Sequence, residues 1–245
     1  MKKIHINCDL GEGGEHDGQL MPLISACNIA CGGHAGTLET MQHTVDLAME
    51  NGVEIGAHPS YPDKENFGRI SIPMESEELK RNLVAQIMSL KQIAEAEGAV
   101  LTHVKPHGAL YNDAFNNAEV AKIIIDSVLE FGNDLVLYVA EGSVISELAK
   151  GKLEMRYEAF ADRIYNPNGT LVNRKETGAV ITKKEEVFNH LLSMISEQKI
   201  TPQKGQKFDT FATTFCLHGD TPNSVEILEN LHREFPAKNI EIFKA

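Results

Sequence analysis

Short apolar runs alternate along this chain with longer segments in which apolar positions recur every three or four residues. The runs at residues 4–8, 25–30, 53–57, 100–104, 135–139, 157–161 and 211–217 predict strands. Helical periodicity falls between them at 37–50, 76–97, 117–131, 143–150, 183–198 and 224–235. Ser76 stands where an N-cap is expected, with Glu77 and Glu78 suited to the positive end of the helix dipole. Gly98 and Gly132 follow helix ends as C-cap glycines do. Strand followed by helix, repeated, predicts parallel strands joined by crossovers. About seven such units fit a closed or nearly closed barrel better than a doubly wound sheet, and 245 residues suit one β/α barrel domain spanning 1–245. The turn-rich stretch 166–179 interrupts the alternation and is expected to form a small excursion or hairpin over the barrel mouth.

Composition narrows the function classes. A formal net charge of -12 opposes binding to nucleic-acid phosphate and favours a small polar ligand or a protein partner. No apolar run approaches the roughly 20 residues of a membrane span, and no signal-like segment opens the chain, so a cytoplasmic location is expected. Cys8, Cys27, Cys31 and Cys216 form no C-x-x-C pair and read as small buried hydrophobes. Neither G-x-G-x-x-G at the first helix nor G-x-x-x-x-G-K-[ST] anywhere offers a nucleotide site of familiar kind.

The candidate chemistry lies just beyond the apolar runs. In L-T-H-V-K-P-H-G-A-L-Y, from Leu101 to Tyr111, a strand runs into Lys105, Pro106, His107 and Gly108. Proline removes a backbone donor and glycine admits turn dihedrals, so the ladder must stop there. Period-two alternation points Lys105 and His107 the same way. Asp9 and Glu12 follow the first run, His34 the second, His58 the third, Glu158, Asp162 and Arg163 surround the sixth, and His218 and Asp220 follow the last. The fifth run, ending near Glu141, is the weakest case. In parallel α/β folds the carboxyl ends of the strands share one face, so these groups are expected to converge. Asp9 and Glu12 could bind a cation or exchange protons, and His34 or His58 could act as ligand or base. Lys105 suits developing negative charge, His107 suits proton transfer, and Arg163 suits bidentate binding of a carboxylate or phosphate, with Asp162 orienting it or a water. Solvated loops and local ion pairs are the competing reading for each group alone; recurrence in unit after unit argues against it.

The motifs D-L-G-E-G (9–13), N-I-A-C-G-G-H-A-G (28–36), I-G-A-H-P-S-Y-P-D (55–63), N-F-G-R (66–69), H-V-K-P-H-G-A-L-Y-N (103–112), F-A-D-R-I-Y (160–165) and C-L-H-G-D (216–220) resemble the LamB/YcsF family nearly end to end. The resemblance implies a distorted seven-stranded TIM-like barrel related to glycoside hydrolases and deacetylases. It also implies the A subunit of an ATP-dependent 5-oxoprolinase that cleaves 5-oxo-L-proline to L-glutamate with subunits B and C. Cys8, Gly33 and Thr37 depart from the family's usual Ala, Phe and Asp, the last removing a possible carboxylate.

A lactam amide is resonance-stabilised. The resemblance therefore suggests that the partners phosphorylate the lactam oxygen and this chain opens the activated ring. A carboxylate or His34 would activate water, Lys105 and Arg163 would hold anionic groups, and His107 would protonate the leaving nitrogen. Glu158, Asp162 and Asp220 are expected at the substrate; a divalent cation is possible. The rival readings are a stand-alone metal-dependent amide hydrolase or carbohydrate deacetylase, and a non-catalytic subunit that binds a small acid.

Overall fold

The computed structural model describes residues 1–244. Its strands are β1 (Lys2–Ile4), β2 (Ile6–Leu10), β3 (Ala26–Ala30), β4 (Glu54–His58), β5 (Leu101–Val104), β6 (Val136–Ala140), β7 (Met155–Phe160), β8 (Lys199–Ile200), β9 (Phe208–Asp209), β10 (Thr214–Cys216) and β11 (Ile240–Ile242). The helices are α1 (Asp17–Leu20), α2 (Leu38–Asn51), α3 (Ser76–Ala96), α4 (Gly108–Asn116), α5 (Ala118–Leu129), α6 (Val144–Ala149), α7 (Lys184–Leu192) and α8 (Ser224–Glu234). Seven strands close a parallel barrel in the order β10-β2-β3-β4-β5-β6-β7, as the alternation predicts.

Several expectations shift in detail. The first run is divided: β1 pairs with β11 outside the barrel, and β2 starts after His5 and continues to Leu10. The last run shortens to β10, with Phe211 exposed before it. Ser76 is not a cap. Glu75 holds the N-cap position of α3 without a side-chain bond, and the Ser76 hydroxyl reaches across to Glu119. Thr37 caps α2 by accepting from the Thr40 amide, so this departure lies at a helix start and not in the chemistry. Helix α4 follows His107 directly; its short stripe of Ala109, Leu110, Tyr111 and Ala114 was too brief to register as a period.

The barrel interior sets the site's character. TIM-type barrels are usually filled by bulky branched side chains, whereas here polar groups meet in layers. Asn7, Asn28 and His103 share one level. Asn28 donates to Asn7 Oδ1, and His103 Nε2 donates to Asn28 Oδ1, both at 2.8 Å. Register pairs Asn28 with Gly56 and Gly56 with His103. A Cβ on Gly56 would lie 2.0 Å from His103 Nε2, so only glycine lets the imidazole cross the barrel there. Below this layer Arg156 donates to Glu54 at 2.6 Å, with His5 and Tyr138 beside them. The apolar residues lie largely between the barrel and its helices, as Leu83, Ile87 and Leu90 of α3 illustrate.

Candidate active site

Above the polar layers the strand ends assemble a buried ion cluster. Lys105 Nζ lies 2.8 Å from Asp9 Oδ1, 2.9 Å from Glu158 Oε1, 3.1 Å from Cys216 Sγ and 3.2 Å from Asn7 Oδ1. An ammonium has three donors, so this one is fully committed inside the barrel. Burial opposes its charge, yet Asp9 and Glu158 raise its pKa well above the ordinary lysine value. Burial likewise opposes the Asp9 carboxylate, and His58 and Lys105 nevertheless hold its pKa well below the usual range. Lys105 therefore fixes Asp9 and is not free to grip a substrate, contrary to the role its position suggested. Cys216 is a thiol kept protonated by burial, and all four cysteines are buried and unpaired.

Asp9 Oδ2 faces the second assembly, a cage of three imidazoles around Glu12. His58 Nδ1 donates to the Lys105 carbonyl at 2.7 Å, and His107 Nε2 donates to the Phe67 carbonyl at 2.9 Å. Those partners place one proton on each ring, and His58 Nε2 and His107 Nδ1 face each other at 2.9 Å, a contact that one further proton must bridge. Glu12 Oε1 is 2.8 Å from His34 Nε2, 3.4 Å from His107 Nδ1 and 3.9 Å from His58 Nε2. His34 stacks flat on His107 at 3.6 Å between centroids, and its Nδ1 is buried without a partner. Burial and His58 press the His34 pKa down to about 2; burial with His58 and His34 lowers that of His107. Both rings are thus neutral. Burial and the neighbouring Asp9 push Glu12 up to about 7.

The cage depends on a tight backbone crossing. Phe67 and Gly68 both have positive φ (56° and 62°), and a Cβ on Gly68 would lie 2.9 Å from both His107 and His34. An aromatic residue in the left-handed region is strained. Here it aims the Phe67 carbonyl at His107 and sets its ring edge-on to His34 and His107.

Across the mouth, His218 Nδ1 donates to Asp162 Oδ1 at 2.9 Å while the His218 amide donates to Asp162 Oδ2 at 3.1 Å. Thr221 also bonds this carboxylate. Burial opposes ionisation of Asp162, but His218 and Thr221 keep its pKa low. Asp162 therefore orients His218 and not Arg163. The Arg163 guanidinium is turned instead onto the Val172 and Ala179 carbonyls (2.7 and 3.4 Å), tying down the excursion after β7. Residues 166–176 of that excursion line the cavity, as expected of a segment at the mouth. Asp220 accepts from Arg69 and Arg174.

All of Asp9, Glu12, His58, Lys105, His107, Glu158, Arg163, His218 and Asp220 line one cavity of about 1050 Å³. His34 and Asp162 stand behind it, in contact with Glu12 and His218. The oriented groups that strand-end spacing did not single out are Asn7, Asn28, His103, Arg69, Tyr111 and Arg174. Alternation of Asn7 with Asp9 marked the inward face of β2, and N-F-G-R contained Arg69, but loop position hid Arg69 and Arg174. The Tyr111 hydroxyl and Glu158 Oε2 are buried beside the cavity without a close hydrogen bond, and burial and the neighbouring Glu158 push the Tyr111 pKa well above its ordinary value.

A closed β/α barrel with carboxylates and imidazoles gathered in one cavity at its carboxyl-terminal mouth has the architecture of a barrel enzyme's active site. More narrowly, the chain belongs to the LamB/YcsF family, whose model matches residues 4–245. It is 41% identical over 243 residues to the 5-oxoprolinase A subunit of Haemophilus influenzae (strain PittEE), covering 99% of each chain. The solved "Lactam Utilization Protein" from Thermus thermophilus superposes with a TM-score of 0.91 at 36% identity, covering 99% of this chain and 100% of that one. A family 4 carbohydrate esterase from Streptomyces lividans, 9% identical with a TM-score of 0.50 over 98% of this chain and 91% of its own, shares the fold alone. Among the described residues no helix is long and apolar enough to cross a membrane.

Proposed function

We propose that this chain is the ring-opening component of an ATP-dependent 5-oxoprolinase, converting 5-oxo-L-proline to L-glutamate with B and C subunits in the cytoplasm. The observation that carries the reading is the pairing, across one cavity, of Glu12 in its imidazole cage with an aspartate-oriented His218. Lacking a glycine-rich phosphate loop, the chain leaves ATP-dependent phosphorylation of the lactam oxygen to its partners. Water then adds to the activated carbon. Glu12, with a pKa near 7, takes its proton at neutral pH. As the C–N bond breaks, the electron pair goes to the ring nitrogen, which takes a proton from His218, and the acyl phosphate so formed is hydrolysed by a second water to L-glutamate and inorganic phosphate; Asp162 steadies the imidazole throughout. This replaces the sequence-based choice of His107 as acid, because both His107 nitrogens already face Phe67 and His58. Asp9, fixed by Lys105, places a permanent negative charge beside His58.

A second reading of the same centre rests on these two facing nitrogens, which at 2.9 Å require a proton or a cation between them. Glu12, His58 and His107, with His34 adjoining, offer the neutral imidazole and carboxylate donors that zinc or a similar divalent ion takes. A bound ion would polarise the lactam carbonyl and acidify water. His34 would then serve to orient Glu12 through its Nε2.

The test is an assay of the complex reconstituted from all three subunits, with 5-oxoproline and ATP, run beside metal analysis of the purified chain. His218→Asn and Asp162→Asn should lower glutamate formation about 10²- to 10⁴-fold while leaving folding intact by circular dichroism. Near-normal turnover in both variants would remove His218 from the mechanism. Turnover without ATP or partners, together with stoichiometric zinc, would establish the stand-alone hydrolase instead.

A further inference from the structure

Three charged side chains form a bridge over the cavity that the chemistry above does not use. Asp220 Oδ2 accepts from Arg69 Nη2 at 2.7 Å, and Asp220 Oδ1 accepts from Arg174 Nη2 at 2.5 Å. Arg69 lies on the loop after β4, Arg174 on the excursion after β7, and Asp220 just after β10. In the closed order, β4 stands three strands from both β7 and β10, so the bridge crosses the mouth instead of joining neighbours. All three residues line the same cavity as Glu12 and His218.

Each cation is held by structure on its own side. The Arg69 guanidinium stacks over the Phe67 ring at 4.8 Å, and that ring packs against His34 and His107. Arg174 belongs to the segment that Arg163 ties down through the Val172 and Ala179 carbonyls. Asp220 rides on a turn pinned through His218 and Thr221 to Asp162. Two guanidiniums thus converge from opposite walls on one carboxylate above the proton-transfer groups. Their side chains retain 43% and 24% exposure, and Asp220 37%, so the bridge is reachable from solvent and is of the partly exposed kind that ligands readily replace. Guanidiniums are the groups that grip a carboxylate in a fixed geometry.

We propose that Arg69 and Arg174 are a two-sided clamp for the carboxylate of the substrate, and that Asp220 occupies the clamp as an internal surrogate until the substrate displaces it. The identity of that substrate as a five-membered lactam acid rests on the function proposed above; the clamp itself requires only an anionic carboxylate. The arrangement makes specificity electrostatic: a lactam carrying a free carboxylate exchanges for Asp220, whereas the corresponding neutral amide has nothing to offer the two cations. It also couples binding to the mouth, since displacing Asp220 unties the β4 and β7 loops from the β10 turn.

The experiment is binding of three probes to the purified full chain by calorimetry or ligand-observed NMR: 5-oxo-L-proline, 5-oxo-L-prolinamide and glutarate. The wild type is expected to prefer the acid over the amide by about tenfold or more, and Arg69→Gln and Arg174→Gln should each erase most of that preference. Asp220→Asn should tighten binding of the acid and of glutarate severalfold. Removing any negative charge near an anion helps it somewhat, so Asp220→Asn is repeated in the Arg69→Gln, Arg174→Gln background, where a surrogate role predicts that the gain disappears. An undiminished gain there, weaker acid binding in Asp220→Asn alone, or Arg variants that bind both anions as the wild type does would each overturn the clamp. If 5-oxoproline binds no form while glutarate binds and responds to both arginines, the lactam reading fails and the clamp stands. If neither anion binds any form, the clamp falls as well.

Discussion

Replacing Lys105 by methionine isolates the interaction that the barrel is built around. The side chain keeps its length, but Asp9 and Glu158 lose an ammonium that lies 2.8 and 2.9 Å away in a site almost closed to solvent. Removing one member of a buried ion pair leaves an uncompensated charge and costs about 3–5 kcal/mol. For a chain of this size that corresponds to a melting temperature lower by roughly 6–20 °C. The cost depends on pH with a definite sign. Burial would raise the Asp9 pKa, but His58 and Lys105 hold it below its unfolded value. In the wild type, the stability from ionised Asp9 is therefore present above about pH 4 and is lost as pH falls through the folded value. Without the ammonium the Asp9 pKa climbs, and the variant loses stability relative to wild type as pH rises from about 4 toward 8. Titration of Lys105 itself, raised above the ordinary lysine value, lies beyond that window. Urea unfolding at pH 5 and pH 8 measures the difference. A Lys105→Met chain within about 1 kcal/mol of wild type at pH 8, or a deficit that does not shrink at pH 5, would refute the account of Lys105 as a structural counter-ion.

Two further substitutions probe neighbouring claims. Burial first and Asp9 second push Glu12 to about 7, above its ordinary 4.5, so the stability associated with its protonated form is complete below pH 4.5 and lost as pH rises to 7. In chelator-treated protein, Glu12→Gln should therefore be more stable than wild type at pH 8, by an amount on the order of 3 kcal/mol, and equal to it near pH 4, while ring opening is lost; a stability difference that ignores pH counts against a raised Glu12. Gly56→Ala places a Cβ 2.0 Å from His103 Nε2 and should break the His103–Asn28 bond at a cost of at least about 2 kcal/mol in urea unfolding; an unaltered midpoint would mean that the polar layer has slack.

The barrel and its mouth were legible in the sequence because they follow from periodicity. Every predicted strand has a counterpart in the closed sheet, and the groups placed after those runs line or back one cavity. What periodicity could not give is how each group would be used. Lys105 and His107 looked like free reagents because a strand end shows which residues emerge and not what meets them from six other strands. The partners that commit Lys105 (Asn7, Asp9, Glu158 and Cys216) lie 98, 96, 53 and 111 residues away in sequence. Arg163 looked like an anion clamp because its residue type suits one; the carbonyls of Val172 and Ala179 claimed it once the excursion folded back. Arg69 and Arg174 carry no such signal for the converse reason, since both lie on loops that have no period.

These reversals share a physical cause. A strand's side chains are directed by the pleat into the barrel, where water is absent and any charge must find partners, so the charges nearest the strands become structural. Several groups on the loops beyond, Glu12, His218, Arg69 and Arg174 among them, are less deeply buried and keep an edge toward the cavity. Asp9, Lys105 and Glu158 satisfy one another within the barrel, whereas Glu12, His218, Arg69 and Arg174 stand further along the chain from their strand ends. Reactivity in this fold is therefore expected a few residues past the end of each strand, with the last inward side chain acting to hold it in place.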